Sequence, residues 1–80
     1  MLLDALTALK IGCAILKTGY YNAKIKREID TIAEKLFKVL KIMDNKIMRE
    51  TIAKTLAIYA NLNRGSLSED LKIEILNCLL

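Results

Sequence analysis

The stretch Ala23-Lys24-Ile25-Lys26-Arg27-Glu28-Ile29-Asp30-Thr31-Ile32-Ala33-Glu34-Lys35-Leu36-Phe37-Lys38-Val39-Leu40-Lys41-Ile42-Met43 decides the fold class. At 100° per residue, Ile25, Ile29, Ile32, Ala33, Leu36, Val39, Leu40 and Met43 fall on one arc of about 120°. Phe37 extends one edge of that arc. Lys24, Arg27, Thr31, Lys35, Lys38 and Lys41 gather on the opposite side, with Glu28 and Glu34 among them. Alternation with period two, the mark of a half-buried strand, is missing. The stretch reads as an amphipathic helix over 23–43, with Lys24–Glu28 and Glu34–Lys38 as expected i,i+4 pairs worth about 0.2–0.5 kcal/mol each.

Upstream, Leu2, Leu6, Leu9, Cys13, Leu16 and Tyr20 step by fours and threes, a seam on one face of a helix over 2–18. Leu3, Ala8, Ile11 and Ile15 widen it, so this helix needs cover on more than one side. Between the two helices, Gly19 suits a left-handed closing residue and Asn22 suits a cap. The alternative is one continuous helix over 2–43. A second seam, Ile11, Ile15, Thr18, Asn22, Ile25 and Ile29, runs through the break, and an interior Gly19 would cost only ~1 kcal/mol.

Downstream, Asp44-Asn45 precedes a helix over 46–63, with Met48, Ile52, Leu56, Tyr59 and Leu62 on one face and alanines 53, 57 and 60 beside it. Gly65 suits its C-terminal end. Ser66 with Glu69, or Ser68 with Glu69 and Asp70, suits the start of a last helix over 67–79. Its faces are Leu67, Leu71, Ile75 and Leu79, with Ile73, Leu76 and Leu80 alongside. The expected fold is all-α, a compact bundle of about four helices in a single domain over 1–80. Eighty residues are too few for more than one core.

The inventory excludes most site chemistry. There is no histidine, so no Ser–His or Cys–His pair can be built. Two cysteines without histidine cannot close a zinc site. Gly12, Gly19 and Gly65 stand apart and form no phosphate loop. Asn61 to Ser68 resembles a calcium-binding helix–loop–helix over about one tenth of the chain. Its twelfth position would be Lys72 instead of the required glutamate, so it reads as a capped turn. No enzymatic activity and no cofactor are expected.

The charge is +4, with all of the excess in residues 1–43. Lys24, Arg27, Lys35, Lys38 and Lys41 therefore form the candidate polyanion-binding face. Tyr20 and Tyr21, beside Lys17 and Lys24, are expected to cover the end of the core. Cys13 and Cys78, with apolar flanks, read as buried free thiols in a reducing, cytoplasmic setting. The longest uncharged apolar run is Ile11 to Leu16, far short of the roughly 20 residues of a membrane span.

Apolar residues make up 54% of the chain. A short fold has limited interior, and this surplus points to a partner surface. The expected function is a helical interaction module working through self-association, a dimer being favoured, or through another protein. Its candidate interface is Leu6, Leu9, Cys13, Leu16, Ile25, Ile29, Ile32 and Leu36. Periodicity does not divide these eight between internal core and interface. The alternative is a small basic nucleic-acid-binding protein. A less favoured third reading lays Leu2 to Tyr21 on a membrane surface.

Overall fold

Two asparagines and one glycine set the helix boundaries. In a computed structural model describing residues 2–63 and 69–79, the Asn22 side chain accepts the Ile25 N–H at 2.9 Å and Asn45 accepts the Met48 N–H at 3.0 Å. Each ties down one of the N–H groups that a helix start leaves without an internal partner. Gly19 takes φ 77°, the left-handed region that an L side chain enters only at a cost. The helices are α1 Leu2–Thr18, α2 Ala23–Ile42, α3 Lys46–Leu62 and α4 Glu69–Leu79. Among the described residues there is no strand.

The continuous helix over 2–43 is therefore corrected. The chain leaves α1 at Gly19, whose N–H returns to the Leu16 carbonyl at 3.2 Å, and Tyr20, Tyr21 and Asn22 form a short link. Two ends also move. Met43 is the extended cap of α2 and Asn63 the cap of α3, each one residue inside the expected end. The α4 helix is described from Glu69. The expected roles of Gly65, Ser66, Leu67, Ser68 and Leu80 lie outside the described residues.

Leu6, Leu9, Cys13 and Leu16 of α1 meet Ile29, Ala33, Leu36, Phe37 and Leu40 of α2 and Ile52, Ala53, Leu56 and Tyr59 of α3. The helices α1, α2 and α3 all pack on one another, and α4 packs chiefly on α3 through Ile75. Where α1 and α2 touch, a Cβ on Gly12 would come within 3.0 Å of both γ-carbons of Ile29. Gly12 therefore serves a close approach of two helices. Thr55, the buried hydroxyl of α3, gives its proton to the Thr51 carbonyl at 3.1 Å.

The radius of gyration is 11.9 Å, against about 11.6 Å for a compact chain of this length. The extents, 35 × 27 × 16 Å, describe a slab about two helices thick. A slab exposes more surface than a sphere. The accessible area is 5592 Å², above the roughly 4,900 Å² usual for a monomer of this mass.

Candidate functional site

Glu34, Phe37, Lys38 and Lys41 recur at i, i+3, i+4 and i+7, so one stripe of α2 carries all four. With Leu71 from α4 they line a largely apolar cleft of about 210 Å³. The stripe lies where the apolar arc of α2 meets its wet face. Phe37 is buried and forms the floor, while Glu34, Lys38 and Lys41 are exposed and form the rim. Leu71, half-buried, supplies the opposite wall. Pockets for small molecules usually start near ~300 Å³, so this cleft suits one or two inserted side chains better than a metabolite.

The rim is electrostatically uneven. The expected pair Glu34–Lys38 is not formed, nor is Lys24–Glu28. Among the described residues the ion pairs are Lys26–Asp30 at 2.8 Å and Lys72–Glu69 at 3.4 Å. Lys38 and Lys41 thus hold their charges over the cleft without a carboxylate at ion-pair distance, and Glu34 stands a turn or more before them. All five candidate polyanion-binding residues, Lys24, Arg27, Lys35, Lys38 and Lys41, are exposed along α2.

A second polar cluster joins α2 to the end of α3. Asp30 accepts from the Lys26 ammonium at 2.9 and 2.8 Å through its two oxygens, from the Tyr59 hydroxyl, and from Asn63 Nδ2 at 3.2 Å. Burial alone would push the Asp30 carboxyl up. The Lys26 and Tyr59 hydrogen bonds, the Lys26 charge and Asn63 together outweigh it and hold the carboxyl below the usual range. Burial, followed by the bond to Asp30 and that carboxylate's charge, raises the Tyr59 phenol well above its ordinary value. This cluster fixes α3 against α2 and is structural.

The eight candidate interface residues are mostly inside the chain. Leu6, Leu9, Cys13, Leu16, Ile29 and Leu36 belong to the buried core, Ile32 packs against it half-buried, and Ile25 is exposed. Leu6, Leu9, Cys13 and Leu16 of the α1 seam thus face the other helices. Tyr20 and Tyr21 also depart from expectation. They lie in the link after Gly19 and stand in solvent, Tyr20 at 90% exposure, instead of covering the core. Cys13 is buried, and its burial pushes the thiol up; Cys78 is half-buried beside Arg49, whose Nη2 lies 3.2 Å from its sulfur. Both are free thiols.

Among the described residues no cluster of His, Cys, Asp or Glu is arranged to hold a metal ion, and no helix is long and apolar enough to cross a membrane. No family model, curated protein or solved structure matches this chain.

Proposed function

We propose that this chain is a small non-enzymatic helical module that works in the cytoplasm by binding protein surfaces, first of all a second copy of itself. The observation that carries this reading is the large apolar side chains left outside a core that is already closed. Leu3 and Ile11 on α1, Ile42 on α2, Ile47 and Ile58 on α3, and Ile73 and Leu76 on α4 are each more than half exposed. Single exposed leucines are ordinary. Among the described residues there are seven of these, at least one on every helix, and a twofold contact would bury those that share a face.

The test is mass in solution by size-exclusion chromatography with light scattering at low and high salt. The expected result is a stable multiple of 9.0 kDa at both, because apolar burial is not screened by ions. A monomer at both salts, at concentrations near 100 µM where contacts of about 5–6 kcal/mol become populated, overturns self-association.

One observation supports a second reading, a polyanion-binding protein. Five of the six basic residues of α2, Lys24, Arg27, Lys35, Lys38 and Lys41, are exposed, and none of these five is engaged in an ion pair among the described residues; the sixth, Lys26, is paired with Asp30. Nucleic-acid binding of this kind falls steeply with salt. It should vanish in the double variant Lys35→Glu/Lys38→Glu while the helical spectrum is kept.

A further inference from the structure

We propose that the α2–α4 cleft docks an acidic segment of a partner protein, one apolar side chain entering against Phe37 and Leu71 with carboxylates set on Lys38 and Lys41. This deepens the interaction-module reading and rests on it. Three observations converge on that occupant. The floor is apolar and the volume, about 210 Å³, matches a side-chain anchor. The rim over the C-terminal half of the cleft carries two ammonium groups that form no ion pair among the described residues, Glu34 lying about one turn before Lys38 and two before Lys41. Both lysines line the cleft, and a lysine's aliphatic stem can add apolar contact as well as charge.

Charge complementarity decides against a basic or neutral segment, since either would leave Lys38 and Lys41 facing unbalanced positive charge or none. Glu34 gives the cleft a direction. It lies about 10 Å up the helix from Lys41. A carboxylate there would be repelled, so the acidic end of the segment belongs over Lys38 and Lys41, and an amide or cationic residue belongs over Glu34. Nucleic acid fits less well, because Glu34 on the same rim would repel a phosphate backbone running the length of the cleft.

The experiment selects peptides from a random 16-residue library displayed on phage, with the full chain as bait and counter-selection on Lys38→Glu/Lys41→Glu. Both substitutions are at exposed positions, and circular dichroism checks the fold. The expected peptides carry Asp or Glu beside Leu, Ile, Phe or Met. On titration they shift the amide signals of Phe37, Lys38, Lys41 and Leu71. Charge reversal at the two lysines should weaken them about tenfold or more, two rim charges at up to ~1 kcal/mol each. Glu34→Lys should tighten them.

No enrichment over the counter-selected variant, selected peptides lacking acidic residues, or shifts that map elsewhere would each overturn the proposal. So would a random-sequence single-stranded oligonucleotide that shifts the same amides and displaces the peptides. Light scattering on the same samples keeps the two readings apart. A dimer without peptide binding removes the cleft proposal alone. A monomer that binds acidic peptides removes self-association alone.

Discussion

Tyr59 on α3 donates its hydroxyl to Asp30 on α2, across 29 positions of sequence, and so pins two helices at a point where both have left the deepest part of the core. The carboxylate gathers three donors, and Lys26 balances its charge. The cluster is only partly shielded, the Asp30 side chain being 33% exposed. Solvent screening therefore brings its worth below the usual range for hydrogen bonds to charged groups, to about 1 kcal/mol.

That linkage has a sign at each end of the pH scale. The folded Asp30 carboxyl lies below its ordinary value of 3.8, so its contribution is complete above about pH 4 and is lost as pH falls further. The folded Tyr59 phenol lies above its ordinary value of 10.0, so its contribution is complete below about pH 10 and is lost as pH rises. Urea midpoints measured across both limbs should show these declines. Asp30→Asn should flatten the acid limb and Tyr59→Phe the alkaline one, each lowering stability near neutrality by about 1 kcal/mol. Unchanged limbs in either variant would assign the pH dependence to other groups.

The two structurally placed glycines should respond to alanine for different reasons. At Gly19 the added Cβ meets nothing within 4 Å, so the cost is purely that of φ 77°, about 1 kcal/mol. At Gly12 the helix itself would gain up to ~1 kcal/mol from alanine. The new methyl, however, presses on both γ-carbons of Ile29, a stiff β-branched side chain. Overpacking costs about 1–3 kcal/mol, so Gly12→Ala should be destabilising by roughly 1 kcal/mol. A Gly12→Ala variant more stable than the parent in chemical denaturation would mean that the α1–α2 contact yields freely.

Core and surface isoleucines and leucines should separate cleanly. Leu36 is 0% exposed, and Leu36→Ala should cost about 2–5 kcal/mol. Ile47 is 79% exposed, and Ile47→Ala should change the stability of the isolated fold by less than about 0.5 kcal/mol. If two copies associate through such residues, the parent's unfolding midpoint rises with protein concentration and the Ile47→Ala midpoint rises less. A concentration-independent midpoint in both would leave the exposed isoleucines without a self-association role.

Much of the fold was legible because its signals are local. Asn22 and Asn45 act on N–H groups three residues away, and Gly19 acts on its own backbone. The apolar arcs of α2 and α3 need only the helical period. What stayed hidden depends on residues distant in the chain. Asp30 reads as one more charge on a wet helix until Tyr59 and Asn63, 29 and 33 positions on, are brought to it. Gly12 reads as a neutral interruption until Ile29 is placed against it. Periodicity shows that Leu6, Leu9 and Leu36 share apolar faces, but it does not name what covers them. The cleft was half visible. Glu34, Phe37, Lys38 and Lys41 lie at helical spacing, but the facing wall, Leu71, is supplied by another helix.

The way α4 is attached has a dynamic consequence. The helices α1, α2 and α3 contact each other in every pairing, whereas α4 leans chiefly on α3 and buries Ile75 as its main anchor. Such an appended element can detach while the rest stays folded, at a free energy below that of global unfolding. Since Leu71 is one wall of the cleft, each such excursion dismantles the docking surface and each return rebuilds it. Whatever fills the cleft therefore holds α4 down, and whatever competes for α4 empties the cleft.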